Sequence, residues 1–97
     1  MNYYLLSYDL VDDYITRRAP LRDQHLRLAR EAHTCGDLVL AGAFTDPPDG
    51  AALIFHVSDQ SVVEDFVRND PYVLKGLVKH WKIRLWNVVI GGQKSPV

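Results

Sequence analysis

The stretch Pro20-Leu21-Arg22-Asp23-Gln24-His25-Leu26 opens a segment that predicts an amphipathic helix running to about Cys35. At helical spacing, one stripe of this segment combines small or aliphatic side chains with one histidine: Leu21, His25, Leu28, Ala32 and Cys35. An imidazole inside an inward-facing stripe needs partners for its ring nitrogens, because an unsatisfied buried polar group costs about 1–3 kcal/mol. The rest of the chain must therefore supply a partner for His25.

The composition is that of one globular domain spanning residues 1–97. Hydrophobic residues make up 47% of the chain, which argues against disorder. A net charge of −1 predicts no general attraction to nucleic acid or to an anionic membrane. No apolar run approaches the ~18 residues of a membrane span. Because the N-terminus also lacks the basic start of a signal peptide, we expect a cytoplasmic protein.

The pattern along the chain predicts alternating strands and helices, separated by turn residues. Strands are expected at residues 2–9, 37–44, 51–57 and 77–90, with a polar loop at 11–19 and a polar tail at 91–97. A second helix should begin at Asp59 or Ser61, where Ser61 to Glu64 has the spacing of a capping box, and end near Asn69. One further turn, residues 72–75, is expected to close at Gly76.

This order is βαββαβ, which predicts an α+β, ferredoxin-like fold: an antiparallel sheet with two helices on one face. The strands, however, carry large apolar residues on both faces, and two helices cover only one. The uncovered face would exceed the few hundred Å² of apolar surface that a monomer tolerates. We therefore expect a homodimer that packs sheet against sheet.

The sequence resembles the YciI-like proteins, also called the YCII-related domain, over nearly its whole length. The resemblance rests on Arg18, on Arg22-Asp23-Gln24-His25-Leu26, on Ala41-Gly42 and on the segment Phe66 to Gly76, which contains Asp70-Pro71-Tyr72. It implies a dimeric α+β barrel with a His–Asp pair, His25 and Asp70, as the site. The family usually has Gly-Pro where this chain has Gly42-Ala43, so the wall of the pocket is expected to differ there.

A carboxylate beside an imidazole fixes its tautomer and suits it to general acid/base catalysis. The residues alone leave other interpretations open. His25 could be a core histidine bonded to a backbone carbonyl. Asp70 precedes a proline, which is a common N-cap arrangement. One carboxylate has two oxygens, so Asp70 could act as a cap and as a partner of His25.

The remaining candidate residues would bind a small anionic substrate. Arg18 and Arg22 cluster with Arg17 at the positive end of the helix, where they could hold a carboxylate or could simply be balanced by Asp12, Asp13 and Asp23. The other predicted substrate-binding residues are two tyrosines, which could equally be packing residues, and one glycine of the pocket wall: Tyr8, Tyr72 and Gly42.

Metal and disulfide chemistry have little support in the sequence. His33, His56 and His80 show no metal-ligand spacing. Cys35 is the only cysteine, which excludes an internal disulfide, and its place on the inward stripe predicts a small buried residue. No phosphate loop and no Ser/His/Asp hydrolase motif is present.

These observations favour a cofactor-independent lyase- or isomerase-like enzyme. His25, held by Asp70, would carry out acid/base chemistry (isomerisation or elimination) on a small carbonyl, lactone or hydroxylated aromatic acid. The alternative is a non-catalytic protein that binds a small anion or forms a dimeric scaffold. Relatives of the barrel fold also include haem- and oxygen-handling enzymes, but that is analogy alone.

Overall fold

Four strands pair into an antiparallel sheet with the order β2-β3-β1-β4. The computed structural model of the chain describes residues 1–92. The predicted ferredoxin-like fold is confirmed, with the two expected helices, the further turn expected near residues 72–75 and one short helix that was not expected. The elements are β1 (Asn2–Leu10), α1 (Tyr14–Arg17), α2 (Arg22–Thr34), β2 (Leu38–Ala43), β3 (Gly50–Val57), α3 (Gln60–Asn69), α4 (Pro71–Leu74) and β4 (Val78–Trp86).

Two of the predicted boundaries are wrong, each for a local reason. The expected loop at residues 11–19 contains α1, because Tyr14 turns into the core and is only 4% exposed. The last strand ends at Trp86 and not at residue 90. Trp86 pairs with Tyr3 at the start of β1, so almost no strand remains beyond it to supply hydrogen bonds. Residues 93–97 of the predicted tail lie outside the described part of the chain.

The helix ends follow simple capping chemistry. Asp59, and not the predicted capping box at Ser61, caps α3: its side chain accepts a hydrogen bond from the Ser61 N–H at 3.0 Å. The helix ends at Asn69 as predicted, because Pro71 forces Asp70 into an extended conformation with φ −75° and ψ 117°. Gly76 stops α4 with a positive φ of 78°, which favours glycine.

The core lies between one face of the sheet and the helices. It is built from alternate residues of β1 and β3 and from the apolar stripe of α3: Tyr4, Leu6, Tyr8, Leu10, Leu53, Phe55, Val57, Val63, Phe66 and Val67. Helix α2 packs more loosely, with Leu21, Leu28 and Ala32 only partly buried. The predicted burial of Cys35 is wrong. Helix α2 ends at Thr34, so Cys35 lies beyond the inward stripe and is exposed. Its thiol donates a hydrogen bond to the Ala32 carbonyl oxygen.

The opposite face of the sheet carries aromatic and aliphatic side chains without helices above it. Tyr3 stacks on His56 with ring centroids 4.3 Å apart, and Trp86 lies beside Tyr3 on the neighbouring strand. Leu40 and Trp86 are 65% and 44% exposed. The two-sided apolar pattern of the strands is thus present, while the homodimer that would cover this face stays a prediction. Within residues 1–92, no helix is long and apolar enough to cross a membrane.

Candidate active site

A buried carboxylate forms the centre of the candidate site. Asp70 links α3 to α4 and is completely inaccessible to solvent. Its Oδ1 accepts a hydrogen bond from the Tyr72 N–H at 3.0 Å and contacts His25 Nδ1 at 2.8 Å. Its Oδ2 accepts a hydrogen bond from the Tyr8 hydroxyl at 2.8 Å. Asp70 is therefore both the N-cap of α4 and a partner of His25, as the sequence allowed.

The ring of His25 is fixed by two contacts. Nδ1 points at Asp70, and the imidazole stacks on the Tyr72 ring with centroids 3.8 Å apart and planes 7° from parallel. An ionised carboxylate can only accept hydrogen bonds, so beside it Nδ1 is the donor, and Nε2 keeps its lone pair in the neutral form of the ring. No hydrogen bond joins Nε2 to the described residues. The side chain of His25 is 16% exposed, so this nitrogen is available to a bound molecule.

A cavity of about 260 Å³ lies beside His25. Its lining includes every predicted site residue except Asp70: Tyr8, Arg18, Arg22, His25, Gly42 and Tyr72. Asp70 is buried outside this lining, and its three partners Tyr8, His25 and Tyr72 all belong to the lining. The structure thus brings the predicted residues together around one space, and the roles assigned to them stay predictions.

The two arginines of the cavity differ in how they are held. Arg18 donates a hydrogen bond from Nη1 to the Tyr14 hydroxyl at 3.0 Å, and its guanidinium lies 5.3 Å from the centre of the Tyr14 ring. Arg22 makes no hydrogen bond or ion pair with a described residue. No acidic side chain lines the cavity. Its wall is therefore positively charged.

Of the three clustered arginines, only Arg17 is balanced by a nearby aspartate in the described part of the chain. Arg17 lies 3.7 Å from Asp13 and donates a hydrogen bond to the Lys75 carbonyl oxygen at 3.1 Å. Neither Asp12 nor Asp23 pairs with an arginine among residues 1–92. Arg18 and Arg22 therefore have no carboxylate partner among the residues that the structure describes.

Burial is the main cause of the raised pKa values of Tyr8 and Tyr72. Burial, followed by the negative charge of Asp70 and the hydrogen bond to it, raises the pKa of Tyr8 far above its usual range. Burial also raises the pKa of Tyr72, with smaller contributions from Tyr14 and Asp70 that Arg18 and Arg22 oppose. Both phenols therefore stay protonated at neutral pH and can serve as hydrogen-bond donors.

Sequence reasoning missed Tyr14 and much of the small-residue wall. Tyr14 fills the space between Arg18 and Tyr72, whose ring it meets edge-on with centroids 6.1 Å apart. The four-residue spacing of Tyr14 and Arg18 could have indicated their contact, because one helical turn brings such residues together. The wall opposite is made of small side chains from α2, β2 and β3: Ala29, Ala41, Ala43 and Ala51.

The described residues offer no grouping of side chains suited to a metal. No three histidine, cysteine, aspartate or glutamate side chains within residues 1–92 are placed to hold an ion.

Comparisons with known proteins agree with this fold. The family model of the YCII-related domain matches residues 1–87. A 5-chloro-2-hydroxyhydroquinone dehydrochlorinase (TftG) from Burkholderia phenoliruptrix, solved with 2,5-dihydroxybenzoquinone, superposes with a TM-score of 0.75 at 18% identity, over 88% of this chain and 93% of that one. No curated protein matches the sequence.

Two further structures, both from Agrobacterium tumefaciens, are more distant. Protein Atu4242 has a TM-score of 0.59 at 15% identity, over 92% of this chain and 94% of that one. A NIPSNAP family protein has a TM-score of 0.57 at 9% identity, over 90% and 91%. At such identities the likeness establishes the fold alone, which is ferredoxin-like.

Proposed function

The chain belongs to the YCII-related domain family, and we propose that it is a cofactor-independent enzyme in which His25 and Asp70 carry out acid/base chemistry on a small organic anion. The observation that supports this most directly is the 2.8 Å contact between His25 Nδ1 and the buried Asp70, at the wall of a cavity. This contact leaves Nε2 as a base beside the space where a substrate would bind.

The chemistry follows from the positions of the protons. Nε2 takes a proton from a carbon next to a carbonyl or from a hydroxyl group, and the electron pair stays on the substrate as an enolate or phenolate. Asp70 stabilises the imidazolium that forms. If the proton returns to a different atom, the reaction is an isomerisation. If a leaving group departs with its electron pair, the reaction is an elimination.

The cavity limits the substrate to a small molecule. Its volume of about 260 Å³ compares with the ~150 Å³ of an apolar cavity that holds benzene, so a single substituted ring fits. Arg22, without a partner among the described residues, and Arg18 favour a negative charge on it. These features agree with a small carbonyl, lactone or hydroxylated aromatic acid. The dehydrochlorination of a chlorinated hydroxyhydroquinone by TftG is an elimination on such a ring and supports that reaction class here.

A deuterium-exchange experiment tests the proposal without knowledge of the true substrate. The protein is incubated in D₂O with a panel of small lactones, keto acids and hydroxylated aromatic acids, and exchange at carbon is followed by NMR. We expect exchange with at least one compound, falling by about 10²–10⁴-fold in His25→Gln, the range typical of a lost general acid/base. The control is His33→Ala, an exposed histidine of the same helix. Equal rates in His25→Gln and wild type would refute the role of His25.

The second candidate function is non-catalytic binding of a small anion, alone or as a dimeric scaffold. It is favoured by the unpaired Arg22 and by the lack of acidic side chains in the lining of the cavity. In that case wild type would bind members of the panel without exchange. Binding would weaken in Arg22→Gln and persist in His25→Gln, whereas an enzyme needs both residues for turnover.

A further inference from the structure

Tyr8 contributes a hydroxyl that the acid/base pair does not obviously need. The side chain lies on β1, faces the core and is 2% exposed. Its ring is part of the cavity wall, yet its hydroxyl proton is given to Asp70 Oδ2 at 2.8 Å. A donor committed in this way is not free to bind a substrate oxygen.

The two oxygens of Asp70 are held very differently. Oδ1 lies within hydrogen-bond distance of both His25 Nδ1 and the Tyr72 N–H. Oδ2 has a single donor among the described residues, the Tyr8 hydroxyl. Because Asp70 is completely buried, water does not replace that donor. Among residues 1–92, the Tyr8 hydroxyl is therefore the only donor that stabilises the buried carboxylate at Oδ2.

We propose that Tyr8 is a positioning residue, which keeps Asp70 ionised and accepting and thereby holds His25 in the Nδ1–H tautomer, with Nε2 as the base. The inference rests on the proposed function for its purpose, but the tautomer is a property of the protein alone. Without the Tyr8 donor, the buried carboxylate is neutralised more easily by a proton. Once Asp70 has taken up a proton from solvent, it donates to Nδ1. The ring then gives up its Nδ1 proton to solvent and takes one up at Nε2, where the proton blocks the base.

The state of the Tyr8 hydroxyl agrees with this role. Burial and the charge of Asp70 raise the pKa of Tyr8, so the phenol stays a donor over the whole pH range in which histidine changes charge. Tyr72, by contrast, reaches Oδ1 with its backbone N–H, and a side-chain substitution leaves that contact in place. The strand and the helix turn thus supply one donor each to the two carboxylate oxygens.

The test is the tautomer of the His25 ring, read from its ¹⁵N chemical shifts in ¹⁵N-histidine-labelled protein. Wild type should show His25 mainly as Nδ1–H when neutral. In Tyr8→Phe the ratio of the Nδ1–H to the Nε2–H form should fall about tenfold or more, since a hydrogen bond to a charged group is worth at least that factor. The control is Tyr4→Phe, on the same strand and face, because Tyr4 is a buried residue whose hydroxyl makes no hydrogen bond to a described residue.

A rescue variant separates positioning from packing. Replacing Tyr8 with 4-aminophenylalanine restores an N–H donor on the same ring and should restore the wild-type tautomer ratio. If Tyr8→Phe keeps that ratio, as Tyr4→Phe should, the proposal is overturned and Tyr8 is a packing residue. A tautomer change in a protein without any exchange activity would support the role of Tyr8 and contradict the enzymatic function, so the two failures are distinguishable.

Discussion

Replacing Asp70 with alanine should destabilise the protein far more than a lost helix cap does. The substitution removes the cap of α4, worth about 1 kcal/mol. It also leaves the buried Tyr8 hydroxyl without an acceptor, which costs about 1–3 kcal/mol. His25 Nδ1 loses its acceptor as well, and because the ring is partly exposed this costs about 1 kcal/mol. The sum is about 3–5 kcal/mol, out of the ~5–15 kcal/mol by which a domain of this size is stable.

Urea unfolding followed by circular dichroism measures this loss, which should appear as a lower midpoint at unchanged slope. Asp59→Ala is the matched control, since Asp59 caps α3 with one exposed hydrogen bond and touches no site residue. Asp70→Asn should fall between wild type and Asp70→Ala, because its amide oxygen can replace Oδ1 while its NH₂ group cannot accept from Tyr8. If Asp70→Ala lost no more stability than Asp59→Ala, the buried network would not hold the fold as described.

Two further predictions concern alkaline pH and assembly. The pKa of Tyr8 is raised in the folded state, so the unfolded chain releases that proton first. The free energy of unfolding should therefore be unaffected by Tyr8 below pH ~10, its pKa in the unfolded chain, and should fall above that pH. The urea midpoint should drop between pH 8 and pH 10.5, and the drop should be smaller in Tyr8→Phe than in wild type. An equal drop in both proteins would contradict the burial argument. The protein should be a homodimer through the helix-free sheet face, with more than ~2,000 Å² buried in total. In light scattering, the dimer should be weaker in Trp86→Glu and should dissociate at a higher protein concentration than in Leu74→Glu. Leu74→Glu is the control, because it places the same charge on an exposed apolar residue of α4. A wild-type protein that is monomeric at low micromolar concentration would refute the dimer.

Most of the fold could be predicted from the sequence because its local signals agree. Glycine and proline mark the ends of the helices, and the alternation along the strands reports burial. The failures lie where a tertiary contact decides. Tyr14 turns a polar stretch into a helix by packing into the core, and β4 stops at Trp86 because its pairing partner begins at Tyr3.

The candidate site shows the same division. The contact between His25 and Asp70 was expected from the family resemblance, whereas the residues alone left a core histidine and a capping aspartate open. The hydrogen bond from Tyr8 could not be expected, because it joins residues 62 positions apart and depends on which residues of β1 face the helices. Asp12 and Asp23 show the converse: their spacing beside the arginines gave no hint that they would pair with none of them.

The small residues of β2 opposite His25 set the size of the cavity without being required by the fold. Gly42 has no positive φ, and a Cβ placed there would meet no heavy atom within 4 Å, so neither its backbone nor its packing demands glycine. Ala41 and Ala43 flank it on an edge strand, away from the buried core. Larger residues at Ala41 and Ala43, which line the cavity, would shorten it while leaving His25, Asp70 and Tyr8 in place. A side chain at Gly42 would point to the helix-free face instead, because Gly42 lies in register with Ala52 and Ser7. Substitutions at Ala41 or Ala43 would therefore change the size of the molecule that the cavity admits, while the contact between His25 and Asp70 stays as it is.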